Sequence, residues 1–142
     1  METKCRNTGG NKIITLLSII RTYWMPISLF ILTVITLLSL YPLESLPSVP
    51  GSDKTHHFIA YAALMFPAAL KKPKYWPFIG LFFVGWSGAI ELIQPYANRY
   101  GEWLDLAANT AGIVCGLLIA RVVNWGFNDH RLVNYKNNQS GV

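Results

Sequence analysis

The chain has 142 residues, of which 52% are apolar and 13% are charged, with a formal net charge of +5. That length suits one domain, and the apolar fraction is too high for a soluble domain of this size. The basic excess does not point to nucleic acid, because no aromatic-interleaved basic patch or nucleic-acid motif accompanies it.

Residues 1–22 read as a cytoplasmic N-terminal segment. Lys4, Arg6 and Lys12 precede the apolar run Ile13 to Ile20, which resembles a signal peptide. Arg21 then interrupts, and no small-residue cleavage pattern follows. The run 13–20 is either an interfacial helix or an extension of the first span. An apolar helix of roughly 20 residues crosses the ~30 Å hydrocarbon layer. Four such spans can be drawn within residues 23–125: about Tyr23 to Tyr41, Asp53 to Leu70, Tyr75 to Gln94, and Trp103 to Trp125. Aromatic residues mark most of their ends, as expected where amphipathic rings meet headgroups. The tail 126–142 is polar, and from Asn128 it reads as disordered.

Ten of the twelve Lys and Arg residues flank these spans on one side, and only Lys54 and Arg99 lie on the other. The expected fold is therefore an all-α membrane protein, a bundle of four transmembrane helices with both termini cytoplasmic. The expected location is a bacterial plasma membrane, crossed several times, with the lipid bilayer as the first partner. Cys5 is then cytoplasmic and Cys115 lies mid-membrane, so no disulfide framework is expected.

Five of the seven acidic residues fall on the outer side: Glu44, Asp53, Glu91, Glu102 and Asp105. On a helix, positions three and four apart share a face. Asp53, His57 and Tyr61 form one stripe, Glu91 and Gln94 a second, and Asp105, Asn109, Gly112 and Gly116 a third. In a bilayer such stripes turn toward neighbouring helices. Glu91 lies 16 residues beyond Tyr75, about 24 Å up its helix. Asp53, His57 and Asp105 open the adjacent spans at similar height. The result is a polar cup, open outward and floored by Asn109 and Tyr61.

Each residue also has a purely structural reading. Asp53 follows Ser52 and suits an N-cap. Glu102 and Asp105 suit the positive end of a helix dipole, which is the preferred reading for Glu102. His57 and Tyr61 would simply pack. Gly112 and Gly116 form the small-xxx-small spacing of close helix pairs, within the chain or in a homo-oligomer. Glu91 is the hardest to dismiss. It ends a fully apolar run, where a lone carboxylate costs up to ~3 kcal/mol unless paired or wetted. Lys54, Arg99 and His57 are its candidate partners.

The stretch Asp53-Lys54-Thr55-His56-His57-Phe58-Ile59-Ala60-Tyr61 resembles the second-helix signature of the VanZ-like membrane proteins. Glu91-Leu92-Ile93-Gln94 resembles that family's Glu-x-x-Gln. Arg99, Asp105, Asn109, Gly112 and Gly116 resemble its closing Arg, Asp, Asn and paired glycines. The resemblance covers about residues 40 to 123. It departs at Glu102, where many members carry a small or hydroxyl residue, and at the extra imidazole of His56. It implies a small integral membrane protein of the cell envelope, and an association with teicoplanin resistance. It implies no reaction.

Three functions remain open. A non-enzymatic protein would bind an envelope precursor, headgroup or glycopeptide in the cup, through Asp53, Lys54, His57, Tyr61, Glu91, Gln94, Arg99, Asp105 and Asn109. A membrane enzyme would use Glu91 and Asp105 as acid and base on a lipid-linked or cell-wall intermediate, with His57 as proton shuttle. A small transporter would need more room than four short spans provide. No resident cofactor is expected. A divalent metal held by His57, Glu91 and Asp105 is a variant of the enzyme reading.

Overall fold

The computed structural model describes residues 8–41, 53–97 and 102–139, with side chains described over 12–41, 53–97 and 102–127. It is all-helical over these residues. The helices are α1 (Thr8–Thr22), α2 (Trp24–Leu40), α3 (Asp53–Lys71), α4 (Trp76–Ile93) and α5 (Trp103–Gln139). A 3-10 turn, Gln94–Ala97, caps α4. Glu44 and Arg99 lie outside the described residues.

The run 13–20 is not a straight extension of the first span. It lies in α1, which meets α2 at 76° across Tyr23. Backbone bonds from Tyr23 to Ile19 and from Ile27 to Tyr23 carry the chain through this bend. Pro26 falls in the first turn of α2, where a missing N–H costs nothing. At the end of α3, Lys72 takes the left-handed conformation (φ 51°) and donates its N–H to the Ala68 carbonyl. This is the usual helix stop, reinforced by Pro73.

The tail is not disordered over the described residues: α5 continues to Gln139. Its 37 residues span about 55 Å. A helix already formed extends at little cost, since only nucleation is unfavourable. Composition alone misses that continuity.

Among the described residues, two stretches are long and apolar enough to cross a membrane, Trp76–Ala97 and Trp103–Phe127. A third is added if the bent α1–α2 pair counts as one span. The drawn span at α3 does not qualify, because Asp53, Lys54, His56 and His57 lower its hydropathy. The packing explains how such a helix is tolerated. α3 touches α1, α2, α4 and α5, most extensively α5. Its residues Tyr61, Leu64, Met65, Ala68, Ala69 and Leu70 are almost fully buried. Other helices, rather than lipid, are its solvent. The outward faces of α2, α4 and α5 carry exposed Phe30, Leu37, Phe78, Leu81, Leu118 and Val122, the apolar wall that a bilayer requires.

Gly112 and Gly116 explain the α3–α5 approach. A Cβ on either would fall 2.3 Å from the carbonyl oxygen of Phe58 or Ala62. The small-xxx-small pair therefore packs against the chain's own α3, which takes the face that a second copy would need. Cys115, next to Gly116, is a free thiol.

Candidate functional site

The stripes converge where the first turns of α3 and α5 meet the last turn of α4. His57, Glu91, Asp105 and Asn109 are buried there, at 8%, 8%, 4% and 1% exposure. Buried polar groups at this density need partners. His57 Nδ1 lies 3.1 Å from Asn109 Oδ1. Asn109 Nδ2 donates to Ser87 Oγ at 2.6 Å. The Tyr61 hydroxyl interacts with Ser87 at the same level. A line of polar groups thus joins α3, α5 and α4. With the amide oxygen of Asn109 facing the ring, Nδ1 donates its N–H to it.

The rim carries charge. Lys54 Nζ bonds Glu102 Oε2 at 2.8 Å and stands 3.8 Å from Asp105 Oδ1. Both Lys54 and Glu102 are about half exposed, so this pair adds little stability. Asp53, in the first turn of α3, is exposed at the mouth. Its carboxylate, the His57 ring and the Asp105 carboxylate each bring one ligand atom within 4.8 Å of the other two.

Glu91 departs from its expected pairing. Among the described residues it has no salt bridge to Lys54 or His57. Its Oε2 accepts the backbone N–H of Glu102 at 3.1 Å. Among the described residues its buried Oε1 has no hydrogen-bond partner, and neither has Asp105 Oδ1. Glu91 interacts electrostatically with Asp105, His57 and Asp53. The metal set drawn from sequence therefore needs correction: the cluster that forms is Asp53, His57 and Asp105, and Glu91 stands outside it. The cause is the direction of α4, whose last turn aims Glu91 at the start of α5.

Gln94 is buried but points elsewhere. Its Nε2 donates to the Ser39 carbonyl at 3.3 Å, tying the end of α4 to α2. Two residues are added to those expected from sequence. Ser87 lies one turn below Glu91, so the same four-residue spacing would have found it. Glu102 serves Lys54 as well as the start of α5, and only the packed structure reveals that contact.

A family model described as VanZ/LLP1 matches residues 4–124. The match begins well before residue 40, so the N-terminal helices lie within the family region rather than outside it. No curated protein and no solved structure matches the chain.

Proposed function

The chain belongs to the VanZ/LLP1 family, and from this premise we propose an envelope protein whose outward cup binds a ligand rich in hydrogen-bond donors, contributing to teicoplanin resistance. The observation that supports this reading is a pair of buried carboxylate oxygens, Glu91 Oε1 and Asp105 Oδ1, that accept no hydrogen bond among the described residues, the second with the Lys54 ammonium 3.8 Å away. A buried carboxylate oxygen without a partner costs more than a satisfied one gains. Three carboxylates, Asp53, Glu102 and Asp105, also interact with the ammonium of Lys54, and Glu91 interacts with Asp53 and Asp105. A cleft bounded by low-dielectric walls focuses that negative field on cationic groups. A headgroup amine, a cell-wall precursor and a glycopeptide all offer such donors.

The proposed topology has four crossings of a bacterial plasma membrane, both termini cytoplasmic and the cup at the outer interface. The placement of Lys and Arg supports it. A reporter active only outside the cytoplasm is expected to be silent after residue 139 and active when inserted at residues 45–50. The opposite pattern reverses the cup and removes the reading.

The ligand is testable on the purified protein in lipid nanodiscs. Saturable teicoplanin binding is expected for the wild type and is expected to weaken at least tenfold in Asp105→Asn, the cost of one charge-assisted hydrogen bond of ~1.5 kcal/mol or more. Equal binding by both proteins contradicts the cup as the site.

A second reading is a membrane enzyme acting on a lipid-linked intermediate. It is favoured by the His57 ring, held by Asn109 and interacting with Asp105, the residue types of proton transfer. Time-dependent conversion of a lipid-linked cell-wall precursor, lost in His57→Ala, separates this from pure binding.

A further inference from the structure

We infer that Asp53, His57 and Asp105 form a binding site for one divalent transition-metal ion at the mouth of the cup. Asp53 and His57 sit one turn apart at the start of α3, and Asp105 sits in the first turn of α5. One carboxylate oxygen from each aspartate and one ring nitrogen already lie within 4.8 Å of each other. A zinc ion with ligands at about 2.0–2.2 Å places them roughly 3.4 Å apart in a tetrahedron, so side-chain movements of about 1 Å close the site. One nitrogen and two carboxylate oxygens from protein, with a further position for water or ligand, is a donor set that zinc accepts. Manganese, which favours carboxylate oxygen, is the competing ion.

Two further observations point to an ion rather than to a chance meeting of side chains. Asp105 is 4% exposed and its Oδ1 has no hydrogen-bond partner among the described residues. The ammonium of Lys54 makes only a long ion pair with that oxygen, at 3.8 Å, and hydrogen-bonds Glu102 at 2.8 Å. The second observation is the setting of His57. Its Nδ1 donates to the Asn109 carbonyl, which Ser87 holds in place. Metal-bound histidines commonly donate their second ring nitrogen to such a partner. The mouth is open at Asp53, which gives the ion a path of entry. The inference does not depend on what organic ligand the cup takes.

The test uses the full chain in nanodiscs, stripped with chelator and titrated with zinc alone and with manganese alone. No teicoplanin is present, so the outcome is separate from that of the ligand reading. The wild type is expected to bind a single equivalent of one of these ions and to gain thermal stability from it. Loss of a ligand in Asp53→Asn or His57→Ala is expected to weaken binding at least about 100-fold, beyond the roughly 10- to 100-fold cost of losing an outer partner. Glu91→Gln, which removes a neighbouring charge but no ligand, is expected to weaken it by less than about tenfold. Asp53 is exposed in the first turn of α3 and asparagine is isosteric with it, so Asp53→Asn decides the matter even if His57→Ala does not fold. Absence of saturable binding in the wild type overturns the site. Unchanged affinity in Asp53→Asn also overturns it.

Discussion

Replacing Gly112 or Gly116 by alanine is expected to prevent the protein from accumulating in folded form. The added Cβ would meet the carbonyl oxygen of Phe58 or of Ala62 at 2.3 Å, and both obstacles are backbone. No rotamer change relieves such a clash. Helix α5 would have to withdraw from α3, and α3 is the helix on which every other one rests. Withdrawal opens the core around Tyr61, Leu64 and Ile113. A loss of about 3–5 kcal/mol is expected for each variant, in the range reserved for clashes and core damage. That is a large share of the roughly 5–15 kcal/mol that holds a typical domain together. Gly85 and Gly126 provide the comparison, because a Cβ on either meets nothing within 4 Å. Alanine at those helical positions is expected to be neutral or to stabilise by up to ~1 kcal/mol. Folded yield and thermal unfolding in detergent measure both effects. Equal behaviour of the two pairs would show that α3 and α5 are not in backbone contact.

Asn109→Ala is expected to have the next largest effect. Asn109 is 1% exposed and bonds His57 on one side and Ser87 on the other. Truncation leaves two buried groups unpaired and a small cavity, at a combined cost of about 2–4 kcal/mol. Ser87→Ala removes only one end of the line, and is expected to cost about 1 kcal/mol. The difference between the two variants, read as thermal stability, measures how far the amide organises the floor of the cup. Similar losses in both would mean that His57 is held by packing alone.

Much of this site is legible as spacing. Asp53, His57 and Tyr61 share a face, as do Asp105, Asn109, Gly112 and Gly116, because helical period alone assigns faces. What period cannot assign is the rotation of one helix against another. From sequence Glu91 reads as a ligand beside His57, whereas it accepts the backbone N–H of Glu102. Lys54 reads as a partner for Glu91, whereas it reaches Glu102. The glycine pair is legible as a packing motif, but not the partner it packs on. The polar start of α3 weakens a hydropathy argument that treats each helix as if it faced lipid. Its neighbours cover it, which is a property of the bundle and not of the segment. The helical tail is missed for a related reason, since composition says nothing about a helix already running into it.

The central claim is that this buried cluster is a site and not a scaffold. The most direct test is the teicoplanin susceptibility of cells carrying Glu91→Gln, at a folded membrane level matched to the wild type. Glutamine at this position keeps the shape and one acceptor for the Glu102 N–H, and removes only the charge. Unchanged folded yield with loss of protection is the predicted result. Protection retained at matched level, or loss of the folded protein, would contradict it.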